Sequence, residues 1–231
     1  MRAMIDFSRY DSRKYETADV VDGYTEWSKT YDAKMIHLLD RPLLERMKID
    51  WSQKSVLDMA CGTGRVGEWL ASQGASPIDG VDLTPSMLEQ ARAKRIYRRL
   101  EVGDVSDTGL PDASYDLIVQ VLACEHLERI EPLYREARRL LKADGTFILI
   151  GYHPCFMLRG IPTHFTTENG EQLAIKQWLH LHSDHVNTGC AAGFTLRQME
   201  EKLVDEPWIS DFPNYVKHLG WPISFALRWS I

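Results

Sequence analysis

The chain has 231 residues and a mass of 26.6 kDa, with 44% hydrophobic and 26% charged residues, the profile of a globular protein that buries a core without disulfide staples. A net charge of −6 and an isoelectric point of about 5.8 argue against a protein whose main business is coating nucleic acid or an anionic membrane. The cysteines at 61, 124, 155 and 190 form no CxxC pair, the amino terminus is too charged for a signal-peptide core, and no apolar run nears the roughly 20 residues of a membrane span, so a reduced, cytoplasmic, soluble protein is expected.

Residues 1–50 are polar and aromatic with helical spacing in places, and are expected to form an amino-terminal helical lid. From residue 51 to 151 short apolar runs alternate with turn signals and helical patterns, the βαβα rhythm of a parallel sheet covered on both faces. The first strand is placed at 55–59, ending at Cys61-Gly-Thr-Gly64, with a helix through Val66, Trp69 and Leu70 that stops near Gly74. A second strand at 77–81 precedes Thr84 and Pro85, a good N-cap and first helical residue. A third strand is expected at 100–102 and a fourth at 115–119. Glu131-Pro132 opens a helix with Leu133, Tyr134, Ala137, Leu140 and Leu141 on its apolar face. Asp144-Gly145 reads as a turn and 146–150 as a fifth strand. The rhythm then breaks: 152–192 holds five of the eight histidines and reads as a substrate-side insert over the ligand edge. Residues 196–204 look helical, and 208–209 with 225–229 look like a closing antiparallel pair, so 193–231 is expected to complete a single domain.

Gly62, Gly64 and Gly67 satisfy GxGxxG, the dinucleotide fingerprint, which alone is a weak signal. Glycines let a backbone turn tightly and approach a ligand, and the following helix offers N–H groups and a positive dipole end to a carboxylate. Asp82, at the end of strand two, is placed to accept from ribose hydroxyls, a placement that suits any nucleoside cofactor and does not discriminate among them. Asp104 follows strand three. One aspartate at a strand end is often a cap or turn; three, at 58, 82 and 104, behind one glycine loop are hard to explain as caps.

The run Val56-Leu-Asp-Met-Ala-Cys-Gly-Thr-Gly64 resembles the first motif of class I S-adenosylmethionine-dependent methyltransferases, with Asp58 as its acid and Ala60 where that family often has glycine. Gln120-Val-Leu-Ala-Cys-Glu-His-Leu127 resembles the family's stretch after strand four, and Leu140-Leu-Lys-Ala-Asp-Gly-Thr146 its turn into strand five. Tyr24-Thr-Glu-Trp-Ser-Lys-Thr-Tyr-Asp32 is similar to the segment that closes over the cofactor. The resemblance covers about residues 20–151 and implies a Rossmann-like α/β fold, a seven-stranded mostly parallel sheet with helices on both faces. It implies S-adenosylmethionine as cofactor and S-adenosylhomocysteine as product. Asp58, Ala60, Gly62 and Gly64 would hold the methionine end and Asp82 the ribose; Leu83 and Met87 would flank the adenine and Asp104 would take its amine; the loop at Gln120 and Tyr31 would close the site, and Tyr24, Arg65 and Val105 are further cofactor-binding candidates.

Methyl transfer needs alignment and sometimes proton removal, so catalytic residues are weakly specified. His153, directly after strand five, is the first candidate base; the competing reading is a histidine bonded to backbone in the turn before Pro154. His126 is the second, or else it fixes the loop around Glu125. Tyr152, His164, Trp178 and His185 are candidates to line a substrate pocket. His180, His182 and His185 have no distinctive ligand spacing, and no metal is expected. Cys155 as a nucleophile would suit an RNA enzyme, but the chain is acidic, and the basic run at 92–99 reads as a solvated helix face. The expected function is methyl transfer to a small molecule, with O-methylation favoured, no nucleic-acid or membrane partner, and a homodimer on base rates. The rivals are an NAD-dependent oxidoreductase, a nucleic-acid or protein methyltransferase, and a protein that binds adenosylmethionine without turnover.

Overall fold

The computed structural model describes residues 5–31 and 35–231. Its main sheet has seven strands: β1 (Val56–Met59), β2 (Ile78–Asp82), β3 (Arg99–Val102), β4 (Tyr115–Val121), β5 (Leu141–Tyr152), β6 (Thr195–Leu203) and β7 (Pro222–Ser230). Their spatial order is 3-2-1-4-5-7-6. Strands β1 to β5 are parallel, and β7 runs antiparallel to both β5 and β6. The plain dinucleotide order is 3-2-1-4-5-6, so the antiparallel β7 between β5 and β6 separates this sheet from that fold.

Strands β1 and β2 are buried along their whole length, as apolar runs in a doubly covered sheet must be. Alternate residues feed opposite cores. Val56, Leu117 and Ile148 join Leu43, Leu44, Leu70 and Ile78 on one face. Leu57, Ile118 and Leu149 join Leu133, Tyr134, Phe225 and Trp229 on the other. The helices are α1 (Val20–Trp27), α2 (Ile36–Arg46), α3 (Arg65–Ser72), α4 (Pro85–Ala93), α5 (Glu131–Leu140) and α6 (His182–Ala191). Edge strand β3 is exposed and carries Arg99 and Glu101, charges that discourage pairing with another chain.

Two expectations fail at the carboxyl end. Residues 196–204 form most of strand β6, not a helix. Leu196, Met199 and Leu203 mimic helical spacing, but pairing with β7 from Thr195↔Ser230 to Leu203↔Pro222 decides the conformation. Trp208 and Ile209 lie in a short helix, Glu206–Asp211, rather than a strand. Asp205 caps it by accepting from the Trp208 N–H at 3.1 Å, and Pro207 occupies its first turn. The strand expected at 146–150 begins earlier, at Leu141.

The insert and the amino-terminal segment are woven together. Glu16–Ala18 pairs parallel with Gln172–Ile175, which pairs antiparallel with His164–Thr166. Ile5–Asp6 pairs with Trp178–Leu179. Helix α1 leaves this small sheet directly and lies so close to it that a Cβ at Gly23 would stand 2.9 Å from Ile175. The result is a roof over the carboxyl ends of β1, β2 and β4. Asp32, the end of the segment expected to close over the cofactor, lies outside the described residues. All four cysteines are free thiols. Among the described residues no helix is long and apolar enough to cross a membrane.

Candidate functional site

The loop between β1 and α3 is built on three left-handed residues, Ala60 at φ 63°, Gly62 at φ 51° and Gly64 at φ 77°. Ala60 holds the left-handed conformation that glycine adopts without strain, which explains why a small residue stands there. Gly62 faces open space: a Cβ built on it meets nothing within 4 Å. Asp82 fixes this loop. Its Oδ2 accepts from the Gly62 N–H at 2.7 Å and its Oδ1 from the Thr84 N–H at 2.8 Å. Burial raises the Asp82 carboxyl, against the pull of these N–H donors.

Under the roof the loop opens into a cavity of about 460 Å³. Of the expected cofactor residues, Tyr24, Tyr31, Ala60, Gly62, Arg65, Asp82, Leu83, Met87, Asp104 and Val105 line it. Three do not. Asp58 is buried behind the loop, where it accepts from the Tyr97 hydroxyl at 2.7 Å. Gly64 begins α3 and packs against Tyr97 and Ala91. Gln120 is buried, and its amide oxygen, oriented by its neighbours, accepts from the Ala123 and Cys124 N–H groups at 2.8 and 3.1 Å. It shapes the turn after β4 instead of touching a ligand. Asp104 is exposed at the rim and uses Oδ1 to accept from the Ser106 N–H at 2.7 Å.

The two candidate bases separate cleanly. His126 lines the cavity. Its Nδ1 lies 2.8 Å from the Lys176 carbonyl, which only accepts, so Nδ1 carries the proton. Nε2 is then the acceptor for the Tyr24 hydroxyl at 3.0 Å. Burial lowers the His126 pKa to about 4, so the ring stays neutral with a lone pair aimed at the Tyr24 phenol. His153 is outside the cavity, a correction to its expected place. Tyr152 faces the cavity, and one residue on along extended chain the next side chain points away. His153 Nδ1 accepts from the Cys155 N–H at 3.1 Å, capping the short helix Pro154–Met157, and its Nε2–H donates to Glu201 at 2.9 Å.

Of the expected substrate residues only Tyr152 lines the cavity. His164 donates to the Pro162 carbonyl at 2.8 Å beside the Tyr15 ring. Trp178 belongs to the strand paired with Asp6, and the Lys176 ammonium lies over its ring at 5.4 Å. His185 is buried against Phe225 and bonded through Nδ1 to the Tyr134 hydroxyl at 3.1 Å. These three corrections share a cause: the insert uses its polar residues to build itself and to dock on the core. His182 groups with His153 and Glu201 instead of with His180 and His185. The capping tautomer of His153 leaves Nε2 without a lone pair for a metal ion.

Sequence reasoning missed Tyr97, the Asp40 partner of the expected Arg65, and the enclosed state of Glu125. Tyr97 sits behind the glycine loop. Arg65 is ion-paired with buried Asp40 at the cavity wall, and nothing in the local sequence links these two across their separation. Glu125 is fully enclosed, its Oε1 has no hydrogen-bond partner, and burial raises its pKa to about 7. The aromatic wall is continuous: Tyr24 stacks on Trp27 at 5.6 Å, and Trp27 lies 5.1 Å from Tyr31 and parallel to Phe165 at 5.2 Å.

Residues 57–149 match the family model described as a methyltransferase domain. The chain is 33% identical over 109 residues to human methyltransferase-like protein 27, covering 42% of this chain and 44% of that protein. It is 28% identical over 129 residues to the ubiquinone biosynthesis O-methyltransferase of Neisseria meningitidis serogroup A, covering 52% and 53%. The chain thus spans about half the length of the curated relatives it matches. The crystal structure of an S-adenosylmethionine-dependent methyltransferase from Mesorhizobium loti superposes with a TM-score of 0.68 at 22% identity, over 91% of this chain and 100% of that one. The DhpI–SAH complex superposes with a TM-score of 0.64 at 17% identity, over 90% and 93%. At these identities the likeness to solved structures speaks for the fold.

Proposed function

We propose that the chain transfers a methyl group from S-adenosylmethionine to the hydroxyl of a small-molecule acceptor, a reading supported by the match of residues 57–149 to the methyltransferase domain model and by the fold shared with S-adenosylmethionine-dependent methyltransferases. The observation that carries the hydroxyl is the neutral His126 lone pair, directed through Tyr24 into the cavity. The residues fit the cofactor: Gly62 leaves a cradle that a Cβ would fill, and Asp82, anchored on the Gly62 and Thr84 N–H groups, also lines the cavity, where its carboxylate would meet ribose hydroxyls. Arg65 and the amino end of α3 would suit the methionine carboxylate, Leu83, Met87 and Val105, which line the cavity, would flank the adenine, and Asp104 at its rim would take the adenine amine. Asp58, behind the loop, would act on the methionine amine through the loop backbone or a water rather than by direct contact.

When bound, the cofactor supplies a methyl carbon already activated by its sulfonium. The chain's own work is alignment and proton removal. The acceptor hydroxyl would hydrogen-bond to the Tyr24 hydroxyl, which donates in turn to His126 Nε2, so this pair would orient the oxygen and draw on its proton while the cofactor would supply the activated methyl group. The aromatic wall of Tyr24, Trp27 and Tyr31 suits a flat acceptor and excludes water. A net charge of −6 favours a small molecule over a nucleic acid.

The test is isothermal titration with S-adenosylmethionine, S-adenosylhomocysteine and NAD in parallel, followed by S-adenosylhomocysteine release with phenolic and amine acceptors. Binding of the first two with no NAD binding is expected. His126→Ala should keep cofactor affinity and slow turnover of a phenolic acceptor by 10²-fold or more, the usual worth of a positioned base, at roughly that order of magnitude. Binding of NAD alone sinks the reading, and full turnover in His126→Ala removes its base.

A further inference from the structure

The glycine loop has a second face, away from the cavity, and one side chain fills it. Tyr97 follows α4, and its ring lies beneath three glycines. A Cβ at Gly64 or Gly80 would stand 3.0 Å from the ring, and one at Gly67 would overlap its hydroxyl. The third glycine of GxGxxG therefore makes room for a phenol. The hydroxyl donates to Asp58 Oδ2 at 2.7 Å. Asp58, one residue from the end of β1, is enclosed and faces Tyr97, Arg65, the Gly67 N–H, Cys61 and Asp82. Burial lifts its carboxyl to about 6, against the pull of the Tyr97 hydrogen bond. Burial and the adjacent Asp58 push the Tyr97 phenol far up, so it remains a donor across the working range.

We propose that Tyr97 is a positioning residue for cofactor binding: its hydroxyl holds Asp58 as an oriented carboxylate, and its ring props the glycine loop in the shape that receives the methionine end. This rests on the adenosylmethionine reading given above. Tyr97 touches no ligand. It acts through Asp58 and the loop, so its effect would fall on the amino-acid end of the cofactor and not on the adenine, which the proposed site would hold at Leu83, Met87 and Val105. Asp58 without its donor loses an interaction that favours the charged form, so it takes up a proton at higher pH than in the native protein.

The experiment compares native protein with Tyr97→Phe, which keeps the ring between the glycines. Dissociation constants are measured for S-adenosylmethionine and for methylthioadenosine, which has the nucleoside but no amino-acid end, from about pH 5.5 to about pH 8, the upper end lying where an α-amino group of pKa about 7.7–8.0 is about half charged. Comparison at equal pH cancels the ligand's own titration. Thermal unfolding and Asp58→Asn serve as references. Tyr97→Phe is expected to weaken S-adenosylmethionine about tenfold at pH 7, the worth of one hydrogen bond to a charged group, and to change methylthioadenosine less than about twofold. The deficit should shrink towards pH 8, and Asp58→Asn should show the same selectivity without the pH dependence. Equal losses for both ligands would make Tyr97 a packing residue only and overturn the proposal, as would native affinity at every pH. Native protein that binds methylthioadenosine but not S-adenosylmethionine, or neither, overturns the cofactor reading as well, and so is told apart from a failure of Tyr97 alone.

Discussion

Asp82→Asn tests the centre of the site, because the same carboxylate is both loop anchor and expected ribose acceptor. One oxygen of the native side chain accepts from the Gly62 N–H at 2.7 Å and the other from the Thr84 N–H at 2.8 Å. Asparagine retains one acceptor oxygen and turns an NH₂ group against the other backbone donor. A charge-assisted bond is worth about 1.5–3 kcal/mol. Burial raises the Asp82 carboxyl, and neutral asparagine escapes that desolvation cost, so the stability loss belongs at the lower end, about 1–2 kcal/mol. Cofactor affinity should fall by a further ~2 kcal/mol, roughly 30-fold, since one ribose hydroxyl meets a donor where it met an acceptor. Urea unfolding at unchanged m-value reads the first quantity and isothermal titration the second. Lost affinity at full stability would show that the carboxylate does not hold the loop; lost stability at full affinity would show that the ribose is held elsewhere.

His126→Gln isolates a histidine whose folded pKa, lowered by burial to about 4, lies below the unfolded value. Neutral His126 therefore contributes stability that is complete above the unfolded pKa of about 6.5 and is lost as pH falls through about 4, by up to ~3 kcal/mol. Chemical denaturation at a series of pH values should show native protein losing that advantage over the variant; a constant difference would refute the assigned protonation state. The glycines give a paired test. Gly62→Ala places a methyl in open space, so it should cost stability only through its positive φ, about 1 kcal/mol, while weakening cofactor binding. Gly67→Ala drives a methyl into the Tyr97 hydroxyl and should destabilise by about 2 kcal/mol, part of which Tyr97→Ala should return. Additive stabilities in the double variant would contradict the packing described.

Much of the core and of the cofactor side was legible because both are encoded locally. Apolar strand β1 leads into the glycine loop and apolar strand β2 ends at Asp82, places that the chain itself fixes relative to each strand. Asp82 and Gly62 meet because parallel strands in register bring their carboxyl ends together. The acceptor side was not legible for the opposite reason. His153 and Tyr152 are adjacent in sequence yet face different ways, and the sequence gives no sign of where the strand's alternation puts the cavity. His164, Trp178 and His185 look like ligand residues in a polar stretch, but their partners, Pro162, Asp6 and Tyr134, are defined by how the insert docks. Tyr97 was invisible because its meaning depends on three glycines from two strand–helix units closing around one ring. Strand β6 misled because apolar residues at three- and four-residue intervals fit a helix, and only β7 turns them into an edge strand.

The roof has a weakest line, and its position follows from how it is bonded. Within the roof the amino-terminal segment and the insert share a backbone ladder, Glu16–Ala18 on Gln172–Ile175. Between roof and core the polar links among the described residues include side-chain bonds: Tyr24 to His126 at 3.0 Å, His126 to the Lys176 carbonyl at 2.8 Å, His180 Nε2 to the Leu127 carbonyl at 2.7 Å, Gln90 to the Ser28 carbonyl at 2.7 Å, and His185 Nδ1 to the Tyr134 hydroxyl at 3.1 Å. Each has a net worth of roughly 1 kcal/mol, so together they amount to a few kcal/mol, far less than global stability. Opening for ligand exchange should therefore break this seam and move the small sheet as one body, instead of unzipping the sheet. Native-state hydrogen exchange should find the amides of 16–18 and 172–175 protected together. His180→Ala should raise the exchange rate of the 124–127 turn and the acceptor KM, and leave cofactor affinity within about twofold, since its bond secures the roof over Leu127 and not the glycine loop. Exchange of 172–175 independent of 16–18, or a cofactor defect as large as the acceptor defect, would show that the two segments do not move as a unit.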